Sequence, residues 1–215
     1  MTNAGRKATV ALAVAVVMTV GGRASANDEP TAVTDPPERT IVVHVANYAA
    51  LSPHVLAGAR ARVEQVYEGI GVRTVWVESE DTVGPREDGR RHLTVILLSR
   101  DMAEKKILAQ RIPDHVLGQA HLASGRAYIF CDRIAAVPGA PTLFPLALGN
   151  VIAHEMGHLV LRENSHSHNG LMRANADLHA IHLQNFDSSQ ASTIRTMLLE
   201  PTAAAPQGNK SSGQR

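Results

Sequence analysis

Residues 154–158 read His-Glu-Met-Gly-His. On a helix, side chains four residues apart lie one above the other. Two imidazoles at this spacing therefore project from one face toward a common point. Zinc accepts neutral imidazole nitrogens readily, at about 2.0–2.1 Å, and prefers four ligands in a tetrahedron. Glu155, beside the first histidine, is placed to reach a water on such an ion without ligating it, and a carboxylate there accepts that water's proton. The opposing reading is a helix with two surface histidines. Val151, Ile152, Ala153, Leu159, Val160 and Leu161 flank the motif, so this helix is apolar on nearly every side. Such a helix is buried, and buried histidines need partners. A metal role for His154 and His158 follows.

A catalytic zinc needs a third protein ligand and an open position. Downstream the chain continues Arg162-Glu163-Asn164-Ser165-His166-Ser167-His168-Asn169-Gly170-Leu171-Met172. From Ile152 to Met172 this resembles the metzincin clan of zinc endopeptidases, with its H-E-x-x-H-x-x-G-x-x-H pattern and Met-turn. Ser165-His166-Ser167 and Gly170-Leu171-Met172 resemble the matrixin branch. The resemblance implies a zincin-like fold, one catalytic zinc ion, and Met172 packed beneath the metal without binding it. Two departures stand out. The clan's glycine is Leu161 here, and its third histidine falls at Asn164. Asn164 tolerates the left-handed conformation, so it is expected to turn the chain. His166, just beyond that helix stop, is then the third ligand, with His168 the alternative. A downstream acid would serve instead in a thermolysin-like arrangement, and Asp177 is the one placed for it. His179 and His182 read as residues of an outer shell or the surface.

The elements that must position these residues alternate. Ile41–Val45 is a β-branched strand. Ser52 and Pro53 open a helix whose apolar face repeats at Val55, Ala59, Val63 and Tyr67, and Gly69 and Gly71 end it. Thr74–Val77 and Leu93–Leu98 are further strands, and their apolar character suits a largely parallel sheet covered on both faces. Asp101–Leu117 is polar with weak helical character. Gln119–Ser124 and Ala127–Ile134 read as a hairpin about Gly125. A proline-rich loop, Pro138–Pro145, leads into the Leu146–Leu161 helix that carries the motif. A last helix starts near Ser188 or Ser189 and runs to Leu199. The fold expected is α+β, with one mixed, mostly parallel sheet, a long helix after the first strand, the motif helix and a C-terminal helix. If the resemblance holds, the Gln119–Ser124 strand edges the cleft and pairs with an extended peptide; an ordinary hairpin strand is the other reading.

The ends of the 215-residue chain read differently. Arg6 and Lys7, the apolar run Ala8–Val20 and Ala24-Ser25-Ala26 make residues 1–26 a signal peptide, the alternative being a retained membrane anchor. Residues 27–40 are a proline-containing lead-in, which leaves open a short inhibitory pro-segment. The domain spans 41–200, and 201–215 is a disordered tail. Three of the 21 basic residues and none of the 20 acidic ones lie in the first 26, leaving the mature chain at 18 against 20, a net of −2. With no basic block, nucleic acid and membrane surfaces are not expected partners. A peptide or protein substrate is. The lone Cys131 forms no internal disulfide and reads as a buried thiol. The reading is thus a secreted or extracytoplasmic zinc peptidase. A non-catalytic zinc module closed by four histidines, or a zinc amidase acting on a cell-wall amide, are the alternatives.

Overall fold

The computed structural model describes residues 39–78, 88–137, 140–162, 165–174 and 184–199. The assigned signal peptide and the tail from 201, all of the lead-in but its last two residues, and Asn164, Asp177, His179 and His182, lie outside these. Five strands form one sheet: β1 (Thr40–Asn47), β2 (Arg73–Glu78), β3 (Arg91–Leu97), β4 (Gly118–His121) and β5 (Arg126–Ile129), in the order β2-β1-β3-β5-β4. All neighbours are parallel except β4 with β5. The helices are α1 (Pro53–Glu68), α2 (Arg100–Gln110), α3 (Cys131–Ala135), α4 (Ala140–Leu161) and α5 (Ser188–Met197). This is the expected α+β arrangement with a mostly parallel sheet.

Side chains alternate across the sheet, and each face has its own cover. Ile41, Val43, Val45, Leu93, Val95 and Leu97 join one buried cluster with α1 and α4, while Ala46, Ile96 and Leu98 join another with Ala103 of α2 and Phe130. Double cover is why residues 41–43 of β1 and 95–97 of β3 run apolar on both faces. Ser52 caps α1, its Oγ accepting from the Val55 N–H at 3.4 Å. α5 starts at Ser188, as expected, with Asp187 capping it in a reciprocal capping box with Gln190, and ends at Met197 rather than Leu199.

Three expectations are corrected. First, β4 ends at His121, and Leu122–Ser124 is a 3₁₀ turn. Second, the second hairpin strand stops at Ile129, and Cys131–Ala135 is helical. The apolar run from Tyr128 to Cys131 looks continuous in sequence, but an apolar run does not distinguish a strand from a buried helical turn. Third, the motif helix begins at Ala140 and carries Pro145 inside it. A proline there forfeits one backbone hydrogen bond, and packing compensates. A Cβ added at Gly58 of α1 would lie 2.7 Å from Pro145 Cβ, so the two helices meet closely at this point.

A second close approach lies one helical stretch further on. A Cβ at Gly149 would stand 2.6 Å from the Ala59 carbonyl oxygen and 2.7 Å from Arg62 Cβ. Glycine in a helix costs about 1 kcal/mol relative to alanine, whereas forcing extra volume into a packed contact costs about 1–3 kcal/mol. Glycine is the better residue here. Arg62, 3% exposed, then stitches the layers together. Its Nε donates to Asn150 Oδ1 of α4 at 2.7 Å, and its Nη2 donates to the Gln184 carbonyl. Tyr67 Oη donates to the Ala153 carbonyl at 3.3 Å, beside the motif. Cys131 is buried, and burial pushes its thiol up to about 12, as an unreactive core cysteine requires.

Candidate metal centre

α4 presents His154 and His158 on one face, and their Nε2 atoms approach to 3.0 Å. Just past the helix, Arg162 takes the left-handed conformation (φ 64°), its N–H still bonded to the His158 carbonyl at 2.9 Å. A left-handed turn thus begins the return at Arg162; Asn164, expected to turn the chain, lies outside the described residues. Ser165 to Met172 then returns beside the helix. Ser167 N–H donates to the Met172 carbonyl, and Leu171 N–H to the Asn185 carbonyl, each at 2.9 Å. Gln190 of α5 donates to the Ser165 carbonyl at 3.1 Å.

This return delivers His166. Its ring centroid lies 4.6 Å from that of His158 and 5.6 Å from that of His154. One nitrogen from each of the three rings can be chosen so that all lie within 4.8 Å of one another. Among the described residues, this is the group of His, Cys, Asp and Glu side chains spaced to hold a metal ion. His168 is exposed and outside it.

The same return fixes which nitrogen of the His154 and His158 rings faces inward. His154 Nδ1–H donates to the Leu171 carbonyl at 2.7 Å, and a carbonyl can only accept, so in the neutral ring Nε2 carries the bare lone pair. His158 Nδ1 is held by Ser165 Oγ at 2.6 Å, turning its Nε2 toward the same point. Orienting bonds of this kind accompany metal-ligating histidines. Burial lowers the pKa of His154. At His158 burial, then the neighbouring His154 and His166, bring it down to about 4. Neutral rings with inward lone pairs are what a cation requires.

Glu155 is 6% exposed and lines the same cavity, about 900 Å³ in volume, as the three histidines. Burial pushes its carboxyl up to about 8, against the opposing effect of the Ala120 N–H that it accepts. That bond comes from the sheet edge. Phe130 N–H donates to the Leu117 carbonyl, so the alternate residues Gln119 and His121 face β5. Gly118 and Ala120 therefore turn their main-chain groups to the open edge, toward the cavity. A Cβ at Gly118 would stand 2.6 Å from Glu155 Cγ, so only glycine admits the carboxylate here. Sequence reasoning gave Ser165 and Ala120 no individual role and did not single out Gly118. A lone glycine opening a strand marks close backbone approach and was the signal available for Gly118.

Met172 is fully buried against α4, where a Cβ at Gly157 would lie 2.5 Å from its Sδ and 3.1 Å from Phe186 Cε1. Gly157→Ala is expected to destabilise the fold by about 1–3 kcal/mol through this overpacking, despite alanine's better helix propensity. Urea unfolding of the two proteins checks it; equal midpoints would mean that Met172 does not press on the helix.

No known family profile matches the sequence, and no curated protein matches it. Among solved structures, the chain is similar to a zinc-dependent peptidase from Methanocorpusculum labreanum (strain Z), at 12% sequence identity and a TM-score of 0.45, covering 72% of this chain and 99% of that one.

Proposed function

We propose that this protein is an exported zinc-dependent peptidase, with His154, His158 and His166 holding one ion and Glu155 serving as general base. The observation that carries the reading is the three-histidine cluster, with the His154 Nε2 lone pair left free by the Leu171 carbonyl and the His158 ring held by Ser165, in a cavity that also holds Glu155. That donor set fits zinc: three neutral imidazoles leave one tetrahedral position for solvent or substrate. His168 stands outside the cluster, which weighs against the closed four-histidine structural site. Bound there, zinc supplies Lewis acidity toward the scissile carbonyl and lowers the pKa of water toward ~7.

The chain's own groups supply the rest. Glu155 takes the proton of the attacking water and passes it to the leaving amine. A buried carboxyl resists ionisation, and a divalent charge nearby restores the carboxylate form. The Ala120 N–H orients it. The open edge at Gly118 and Ala120 offers main-chain hydrogen bonds to an extended peptide lying along the cavity. This favours a peptide over a cell-wall amide lacking a strand-like backbone. Export rests on residues 1–26; no helix among the described residues is long and apolar enough to cross a membrane.

Glu155→Gln is expected to keep zinc stoichiometry and lower kcat by at least about a hundredfold, the usual scale for a lost general base. Hydrolysis at the wild-type rate would assign the base elsewhere. His166→Ala should weaken zinc binding far more than His168→Ala does, read by competition with a chromogenic chelator. The opposite ranking would transfer the third ligand to His168.

A further inference from the structure

Two arginines that the peptidase chemistry does not use line the same cavity as the histidines: Arg162, at the left-handed turn ending α4, and Arg173, just after Met172. Both are exposed, and among the described residues neither guanidinium makes a hydrogen bond or ion pair. Arg60, Arg100 and Arg133 each lie against an acid: Glu78 at 2.9 Å, Asp132 at 3.1 Å and Asp114 at 3.4 Å. Among the described residues lining the cavity, the acid is Glu155, which is buried on the Ala120 N–H and assigned to proton transfer. So, among the described residues, the cavity wall carries two guanidinium charges with no acid paired to them. Like charges gathered at a cleft raise the local concentration of the opposite charge. Guanidinium groups suit carboxylates in particular, through paired N–H donors. A favourable contact of Arg162 with the α4 dipole would explain one arginine but not Arg173, which is not on the helix.

Resting on the peptidase reading, we infer that Arg162 and Arg173 form a carboxylate-recognising subsite, so that the enzyme selects peptides carrying an acidic side chain or a free C-terminus near the scissile bond. These two sources share one chemistry, and the substrate series below separates them.

The test uses zinc-loaded full-length protein and a neutral peptide capped at both ends. In one arm, Glu or its isostere Gln is placed at successive positions. In the other, the C-terminus is free or amidated. kcat/KM is measured with wild type, and Kd with the Glu155→Gln protein. The expected result is a preference of about tenfold or more for the carboxylate member of one arm, shrinking as salt rises. In the R162G/R173Q double variant the ratio should fall toward one. Glycine relieves the left-handed backbone at 162, so Tm should not drop and misfolding would not explain the loss. Equal handling of charged and neutral peptides by wild type overturns the inference, as does a preference that survives in the double variant. A carboxylate preference in Kd with no hydrolysis of any peptide would sustain the subsite and sink the peptidase reading.

Discussion

The hydrogen bond from His154 Nδ1 to the Leu171 carbonyl is the constraint on which the site depends. It ties the motif helix to the returning segment, chooses the tautomer and aims the free lone pair inward. Because Leu171 is itself anchored to Asn185, and Ser165 to Gln190, the second and third rings are held by the same return. Three imidazoles from two segments thus converge, the third carried by a return whose backbone is anchored at Ser165, Ser167 and Leu171. A cost accompanies this. Neutral, part-buried rings 3.0 Å apart at Nε2 gain little from each other unless a proton or a cation lies between them.

That convergence needs α4 to sit in one place. Packing against α1 at two glycines, the Arg62 bond to Asn150 and the Tyr67 bond to Ala153 fix its height and rotation. The sheet edge then meets it from the other side, where Gly118 makes room for Glu155 and Ala120 holds it. The result is a carboxylate and two imidazoles on one packed helix, with a third imidazole on the segment that returns beside it, around one cavity.

What could be read from residues alone follows how local the cause is. The pairing of His154 with His158 depends only on helical spacing and was legible. So were Ser52 and Pro53 at the start of α1, and the doubly covered strands β1 and β3. His166 needed a turn between α4 and Ser165, and residue types pointed to a turn there without singling out Arg162. Arg162 takes the left-handed conformation although glycine or asparagine is the usual choice there, and no composition rule announces it. Pro145 inside α4 was illegible for a related reason: its compensation is a glycine on another helix, about ninety residues earlier. The helical turn at Cys131 hid in an apolar run that also suits a strand. In each case a tertiary contact overrode the local signal.

Zinc-edge X-ray absorption on the metal-loaded protein tests the central claim most directly. Three imidazole nitrogens at about 2.0–2.1 Å, with one further light-atom ligand exchangeable with solvent, are the expected coordination sphere. Two imidazoles only, or a fourth imidazole filling the remaining position, would contradict it.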